Sequence, residues 1–331
     1  MTTFFMFPGQ SSRYAGMLDK LVELHRSNAE ILEHASTILG RDLGAHYRKD
    51  NEQAFARNTD VQVGVFLANH MFMKILTDAG IEADLSAGLS LGEWNHLVHI
   101  GALCFEDALM AVEQRGAAYD AGPRGAMASI FPLELDALQT ALTKVEGDVE
   151  IVNLNSPRQN VISGETAAVE AALKVIDDEY YVEGVIIERQ VPMHSSRFAP
   201  VGAQFRKHLE GIDFQKPRLP YLPNRLAEFV EAPTKEAFVN LLATHVHAPV
   251  FWRKSIDLLI ESYPDVVLVE VGPKSVLYNL IGRKWHKEIK RFRCDTAENT
   301  ASNIEALIDE LGQRVAPLSS SSQRIRAVGA M

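Results

Sequence analysis

Apolar and polar residues alternate strictly over residues 81–87, with apolar side chains on one side and acidic residues and serine on the other. This period of two residues predicts a half-buried β-strand. The alternation stops at Gly88, and residues 93–100 have the composition of a helix. A tight turn over residues 88–92 is therefore predicted between a strand and a helix, with Ser90 at its centre.

Other segments with clear apolar periodicity predict a large unit of mixed strands and helices. Residues 1–7 are predicted as a first strand, and residues 61–76 have the spacing of a buried helix. Asn58, Thr59 and Asp60 precede that helix and are favourable capping residues. Further strands are predicted at residues 219–222, 266–271 and 289–294, and further helices at residues 105–119, 234–245 and 301–314.

The pattern changes between residues 124 and 192. The elements predicted there are a strand at 126–131, a helix at 133–145, strands at 149–154 and 159–163, a helix at 167–176 and a strand at 182–190. This βαββαβ order is that of a ferredoxin-like unit. We therefore predict an α/β fold. A large α/β-hydrolase-like domain with a parallel sheet, residues 1–123 and 193–312, would carry an inserted ferredoxin-like small domain, residues 124–192, and a flexible tail, residues 313–331.

Composition limits the classes of function. The 331-residue chain is 47% hydrophobic and 23% charged, which is ordinary for a globular enzyme. Its net charge of −10 argues against nucleic acid as the main partner, and no apolar run is long enough to cross a membrane. The first residues are too short and lack the basic residues of a signal peptide. Two cysteines, Cys104 and Cys294, offer no disulfide framework, so a cytoplasmic location is expected.

Ser90 is the candidate nucleophile. A serine on a strand-to-helix turn presents its hydroxyl, and the amide of Leu91, at the start of the helix, would point at an oxyanion forming on a substrate. The pentapeptide alone is equally compatible with a structural loop. A serine also needs a nearby base, and eleven histidines could supply it. His194 lies just after the predicted small domain, and clefts tend to form where two domains meet.

Two histidine pairs have spacings that metal ligands also use. His96 and His99 are three residues apart on a predicted helix, and His245 and His247 form an H-x-H pair. Neither pair has a third ligand at a suitable spacing. A packed or solvated helix face is the better interpretation, and no metal site is predicted.

Several motifs, taken together and in order, resemble those of the malonyl-CoA:acyl-carrier-protein transacylases. They are Phe7-Pro8-Gly9-Gln10, Gly88-Leu89-Ser90-Leu91-Gly92-Glu93, Gln114-Arg115-Gly116, Asn155-Ser156-Pro157, Val161-Ile162-Ser163-Gly164, Val191-Pro192-Met193-His194, Pro249-Val250-Phe251-Trp252 and Glu270-Val271-Gly272-Pro273. They extend from residue 3 to about residue 295, so only the C-terminal tail lies outside the resemblance.

The resemblance implies a role for each of the matching residues. Ser90 would attack the thioester of an acyl-CoA with His194 as general base, giving an acyl-serine ester. The amides of Gln10 and Leu91 would form the oxyanion hole. In the family a main-chain carbonyl orients the histidine, and here it belongs to His245, where a glutamine is usual. Because that role uses the main chain, the change should be tolerated.

The resemblance also implies the acyl group. Arg115 would hold the free carboxylate of a malonyl group as a bidentate pair, whereas on its own it would be interpreted as an exposed helix charge. Met193 and Asn155 would line the pocket. Met193 is bulky where relatives that take branched units carry a small residue, which favours malonyl over methylmalonyl.

The second substrate implied is the pantetheine thiol of an acyl carrier protein, in a ping-pong cycle without a bound cofactor. Carrier proteins are acidic, so the basic stretch at residues 283–293 is a candidate docking surface that residues 253 and 254 could extend. Its alternative is a solvated helix face. A monomer is expected. The candidate docking residues are Arg283, Lys284, Lys287, Lys290 and Arg291.

Departures from the family pattern leave other functions open. Ser11 replaces a glycine, Arg13 replaces an uncharged amide, and Trp94-Asn95-His96 is an unusual continuation of the turn. They favour a specialised, free-standing acyltransferase, such as those that serve polyketide synthases, over the housekeeping fatty-acid enzyme. The alternatives are an acyl hydrolase, a carrier-to-carrier acyltransferase, a non-catalytic carrier-protein-binding module and an unrelated lipase-type hydrolase.

Overall fold

The computed structural model describes residues 2–282 and 285–312. Arg283, Lys284 and the predicted tail at residues 313–331 therefore lie outside the described residues. The strands are β1 Thr3–Phe7, β2 Leu85–Gly88, β3 Ala126–Ile130, β4 Val149–Leu154, β5 Asn160–Gly164, β6 Val185–Glu188, β7 Val267–Glu270 and β8 Arg291–Arg293. The helices are α1 Met17–Leu24, α2 Arg26–Leu39, α3 Leu43–His46, α4 Asn58–Asp78, α5 Gly92–His99, α6 Phe105–Asp120, α7 Leu135–Leu142, α8 Thr166–Tyr180, α9 Ala199–Leu209, α10 Lys235–His245, α11 Trp252–Ser262, α12 Val276–Leu280 and α13 Thr300–Leu311.

A parallel sheet with the strand order β2-β1-β7-β8 forms the centre of the protein. Its inner strands β1 and β7 are mostly apolar and buried on both faces, as expected for parallel strands covered by helices. Phe7, the last residue of β1, pairs with Gly88, the last residue of β2. The segments that follow these two strands therefore begin side by side at the carboxyl edge of the sheet, where ligands bind in open α/β folds. The predicted α/β fold with a parallel sheet is confirmed.

A second sheet, with the order β4-β5-β3-β6, is antiparallel throughout. Helices α7 and α8 pack against it, and the apolar side chains between them form a separate core cluster. In β6, exposed and half-buried positions alternate, so one face of this edge strand meets solvent. A bridge between Asn153 and Val250 connects this sheet to the remainder of the chain.

Helix α4 shows how a tertiary contact replaces a predicted local one. The helix begins at Asn58, three residues before the predicted start, and the preceding Arg57 has no side-chain capping bond. Asp120, at the end of α6, instead accepts hydrogen bonds from the amides of Asn58 at 2.8 Å and Thr59 at 3.1 Å. A carboxylate at a helix N-terminus is favourable because it meets unsatisfied amides.

Two predicted features are wrong. Residues 219–222 form no strand, because Pro220 and Pro223 flank the pair Tyr221-Leu222 and leave only a single bridge, from Tyr221 to Val230. The run is apolar because Tyr221 and Leu222 are buried core residues. The described part of the basic stretch is not a helix face either, since residues 286–290 form a turn region and β8 follows. Among the described residues, no helix is long and apolar enough to cross a membrane.

Candidate active site

Ser90 lies on a sharp turn between β2 and α5, as predicted, and has a positive φ of 52°. Both flanking glycines are required by close packing. A Cβ on Gly88 would lie 1.9 Å from the carbonyl carbon of Gly92, and a Cβ on Gly92 would lie 2.0 Å from the carbonyl oxygen of Phe7. No residue with a Cβ fits at positions 88 and 92, because the turn packs directly against the end of β1.

Asn224 holds the turn from the other side and was not predicted from the sequence. Its Oδ1 accepts a hydrogen bond from the amide of Ser90 at 2.8 Å, and its Nδ2 donates to the carbonyl of Gly88 at 2.6 Å. The side chain is buried. It lies in an irregular segment, where a single asparagine between Pro223 and Arg225 carries no distinguishing pattern.

The structure brings Ser90 and His194 together. Ser90 Oγ lies 2.7 Å from His194 Nε2, and His194 Nδ1 lies 2.7 Å from the carbonyl oxygen of His245. A carbonyl can only accept, so Nδ1 carries the proton and Nε2 is free to accept the proton of Ser90. Burial, followed by the charge of Arg115, lowers the pKa of His194 to about 3. The ring is therefore neutral near pH 7, as a general base must be.

His245 has a side-chain environment that the sequence did not predict. Its ring stacks on that of His194, with the centroids 4.9 Å apart. Its Nδ1 lies 3.1 Å from Oε2 of Glu93, without the angle of a hydrogen bond. Glu93 Oε1 accepts a hydrogen bond from Tyr221. Burial raises the pKa of Glu93 to about 7, against the effect of this hydrogen bond.

Arg115 is buried, contrary to the exposed helix charge that it would be interpreted as on its own. Its Nη1 donates to Oε1 of Gln62 at 2.7 Å, and the guanidinium stacks over the ring of Tyr119 at 4.6 Å. Its Nη2 has no hydrogen-bond partner, and within the described part of the chain no carboxylate forms an ion pair with it. Burial lowers its pKa. A buried cation with an unused donor is suited to bind an anion from outside.

Gln10 and Leu91 flank Ser90 from two different loops. The loop at Gly9 runs so close to the turn that a Cβ on this glycine would lie 3.7 Å from Cβ of Ser90. Asn69 fixes this loop by donating to the carbonyl of Pro8 at 3.0 Å. Among the described residues, the amides of Gln10 and Leu91 donate to no protein acceptor. Both amides are therefore available to a ligand.

The structure shows the contacts and the exposure of the two residues that depart from the family opening, Arg13 and Ser11. Arg13 donates from Nη1 to the carbonyl of Gln10 at 3.1 Å, so it braces the loop that carries that amide. Ser11 is exposed, so its Cβ does not crowd the loop. Met193 is buried next to His194, and Asn155, which follows β4, is buried with its Oδ1 unpaired.

His96 and His99 are packing residues rather than a recognisable metal site. Their Nδ1 atoms lie 2.7 and 2.9 Å from Oγ of Ser86. His96 Nε2 accepts a hydrogen bond from the amide of Leu222 at 3.1 Å, which occupies its second nitrogen. Burial lowers the pKa of His96 to about 3. The part of the chain that the structure describes contains no group of three side chains placed to hold a metal ion.

A cleft of about 660 Å³ lies between the second sheet and α12, and the described basic residues follow Trp285, one of its lining residues, along the chain. Trp285 and Ser156 line the cleft from its two sides. Lys287 is largely exposed and lies 3.4 Å from the carboxylate of its neighbour Glu288. Lys290 pairs with Glu310, and the Arg291 guanidinium stacks over Tyr278 at 4.6 Å. Residues 253 and 254 pair with nearby carboxylates, so their charges are partly engaged.

The acyl transferase domain family matches residues 4–306 of the chain. The malonyl CoA-acyl carrier protein transacylase of Bacillus subtilis strain 168 is 30% identical over 315 residues, covering 92% of this chain and 97% of that protein. The chain belongs to the acyl transferase family. The corresponding transacylase of Escherichia coli K12 is 32% identical over 291 residues, covering 86% of this chain and 93% of that protein.

Solved structures agree with this assignment. The complex of the malonyl-transacylase PlMCAT with AntF, its type II polyketide synthase acyl-carrier protein, contains a chain with a TM-score of 0.84 and 30% identity. The alignment covers 93% of this acyltransferase and all of that chain. The resemblance inferred from the motifs is confirmed, and so is the prediction of an acyltransferase. An unrelated lipase-type hydrolase and a non-enzymatic binding module are no longer tenable interpretations.

Proposed function

We propose that this acyltransferase moves a malonyl group from CoA to the pantetheine thiol of an acyl carrier protein. The observation that carries the proposal is the buried Arg115 guanidinium with an unused Nη2 donor, whose charge acts on His194. A malonyl group has a carboxylate at its far end, and a guanidinium binds a carboxylate with two parallel hydrogen bonds. An acetyl group would leave the buried cation without a partner. The transacylases named above act on malonyl-CoA, which supports the same substrate.

In the first half-reaction, Ser90 Oγ attacks the thioester carbon while its proton passes to His194 Nε2. The negative charge on the carbonyl oxygen is held by the amides of Gln10 and Leu91. One such donor is worth roughly 3–4 kcal/mol of transition-state stabilisation. When the carbon–sulfur bond breaks, the CoA sulfur takes the proton from His194. The product is a malonyl ester on Ser90, and the orientation of the histidine by the His245 carbonyl is preserved throughout.

In the second half-reaction, His194 Nε2 takes the proton of the pantetheine thiol, and the sulfur attacks the ester. The carbon–oxygen bond of the ester breaks, and the proton returns to Ser90 Oγ. The enzyme thus alternates between free and acylated forms, which is a ping-pong cycle. No bound cofactor takes part in these steps. Met193, buried beside the base, supports selection of the unbranched malonyl group over methylmalonyl.

We further propose that the carrier protein docks at the cleft between the second sheet and α12. Lys287 offers an exposed positive charge two residues after Trp285, whose ring lines the cleft. Lys290 and Arg291 lie on the same segment, while Arg283 and Lys284 remain sequence predictions. Lys287→Glu should raise the KM for the carrier protein and leave the KM for malonyl-CoA unchanged. Lys207→Glu, on the exposed side of α9, is the control and should change neither.

The domain organisation is also a proposal. The order β4-β5-β3-β6, the two helices packed on this sheet and its separate apolar core support a ferredoxin-like unit at residues 124–192. The strand–turn–helix element at Ser90 supports a hydrolase-like unit formed by residues 1–123 and 193–312. The monomeric state and the cytoplasmic location stay predictions.

Intact-protein mass spectrometry after mixing with malonyl-, methylmalonyl- or acetyl-CoA tests the function. We expect a malonyl adduct that Ser90→Ala abolishes, and discharge of the adduct by a holo carrier protein. Holo carrier proteins from a fatty-acid synthase and a polyketide synthase, compared side by side, identify the type of partner. An adduct that decays equally fast in water would contradict transfer and favour an acyl hydrolase. No adduct from any CoA thioester would favour carrier-to-carrier transfer.

A further inference from the structure

The carboxylate of Glu93 lies behind the Ser90–His194 pair and takes no part in the steps described so far. It is in the first turn of α5, three residues after Ser90, and is 1% exposed. Its two oxygens face Tyr221 and His245, both of which are also buried. A carboxylate removed from water is costly unless its neighbours compensate the charge. Its position directly behind the reacting pair therefore requires a physical reason.

His245 connects Glu93 to His194 by two routes. Its main-chain carbonyl accepts the Nδ1 hydrogen of His194 at 2.7 Å, and its ring stacks on the ring of His194. The side chain of His245, in turn, approaches Glu93 at 3.1 Å. A residue that fixes the His245 side chain therefore also fixes the carbonyl that orients His194. Burial lowers the pKa of His245 well below its usual value, so its ring is neutral at pH 7 and Glu93 is the ionisable member of the pair.

The positive charges around Glu93, His194 and His245 give a physical reason for a carboxylate at this position. Burial has the largest effect on the pKa values of Glu93, His194 and His245 and raises that of Glu93, while Arg115 on α6 and Arg225 in the segment before α10 act to lower all three. When His194 accepts the proton of Ser90, a third positive charge appears among them. A nearby negative charge stabilises such an imidazolium, since electrostatic effects are strong in a site without water.

We propose that Glu93 is a positioning residue that, in its ionised form, holds the His245 side chain and offsets the positive charge formed on His194. The proposal rests on the Ser90–His194 pair of the proposed function. During the step, the proton moves only from Ser90 Oγ to His194 Nε2, and Glu93 gains none. Because burial raises the pKa of Glu93 to about 7, its ionisation falls in the neutral range. The reactivity of Ser90 should therefore depend on pH around neutrality.

The test measures the rate at which Ser90 reacts with diisopropyl fluorophosphate, from roughly pH 5 to pH 9. In this reaction, Ser90 Oγ attacks phosphorus, fluoride leaves and His194 takes the proton, so neither CoA nor a carrier protein is needed. For the wild-type chain we expect the rate to rise through an inflection near pH 7. Glu93→Gln, of the same shape, should be slower at high pH by about tenfold and lack the inflection.

Tyr221→Phe tests the pH at which the inflection occurs rather than its presence. It removes a hydrogen bond that favours the ionised carboxylate, so the inflection should move to higher pH. His245→Gln retains the main-chain carbonyl, so it should still react but with a weaker inflection. Glu270→Gln replaces another buried carboxyl, in β7, and is the matched control with the wild-type profile.

An unchanged profile in Glu93→Gln, or a downward shift in Tyr221→Phe, would overturn the proposal. Circular dichroism verifies the fold, and if Glu93→Gln does not fold, the direction of the shift in Tyr221→Phe decides. Malonyl labelling is scored separately. A chain that reacts with the fluorophosphate but not with malonyl-CoA contradicts the proposed function and still tests Glu93. A wild-type chain in which Ser90 does not react at all contradicts both.

Discussion

Replacing Arg115 with methionine is the sharpest test of the malonyl assignment, because it removes the charge while keeping most of the buried volume. A charge-assisted hydrogen bond contributes about 1.5–3 kcal/mol, so the two bonds of a bidentate pair contribute about 3–6 kcal/mol. At about 1.4 kcal/mol for each factor of ten, kcat/KM for malonyl-CoA should fall by about 10²–10⁴. Acetyl-CoA has no carboxylate and should not suffer this loss.

Turnover of acetyl-CoA should even increase in Arg115→Met. The positive charge of Arg115 lowers the pKa of His194, so its removal makes the imidazole a stronger base. The variant should fold, because it removes an uncompensated buried cation and loses one hydrogen bond to Oε1 of Gln62, which costs about 1–3 kcal/mol for the acceptor left unpaired. Thermal unfolding checks this expectation.

The assay compares kcat/KM for the two CoA thioesters in the wild type, Arg115→Met and Arg225→Met. Arg225 also lowers the pKa of His194 but donates to the carbonyl of Pro249, so its replacement should affect both substrates alike. An equal loss for malonyl- and acetyl-CoA in Arg115→Met would show that the arginine supports the structure and does not bind the substrate.

Three further outcomes follow from the packing around the site. Gly88→Ala places a Cβ 1.9 Å from the carbonyl carbon of Gly92, so we expect the free energy of unfolding to fall by more than about 3 kcal/mol, seen as insoluble or thermally unstable protein. A stable variant would contradict the close packing. Asn224→Ala leaves a buried amide and a buried carbonyl unpaired, at a cost of about 1–3 kcal/mol each. It should therefore lower both the midpoint of urea unfolding and the rate of acylation of Ser90. A loss of stability without a slower acylation would refute its role in positioning Ser90. Burial raises the pKa of Glu270 from 4.5 to about 8, so its contribution to stability is present below about pH 4.5 and is lost as pH rises through 8. Relative to Glu270→Gln, the free energy of unfolding of the wild type should fall by on the order of a few kcal/mol between those pH values. An equal difference between the two proteins at every pH would contradict this.

The strand, turn and helix around Ser90 could be predicted because their signals are local. The alternation before Gly88 and the two glycines four residues apart specify the turn from adjacent residues. The elements between residues 124 and 192 were predicted for the same reason, and each observed strand there overlaps its predicted range. Helices α9 and α11 were not predicted, and the apparent strand at residues 219–222 is a buried irregular segment. A short apolar run signals burial but not the conformation in which it is buried.

The sequence alone was sufficient for the α/β fold, the family and the candidate pair Ser90 and His194, because glycine spacing, periodicity and ordered motifs are properties of the chain itself. Only the tertiary structure decided that His194 reaches Ser90 across 104 positions, that Asn224 holds the turn and that Arg115 is buried with an unused donor. It also decided that Glu93 lies behind His245. These contacts join residues far apart in the sequence, and the packing of the whole chain determines which of them meet.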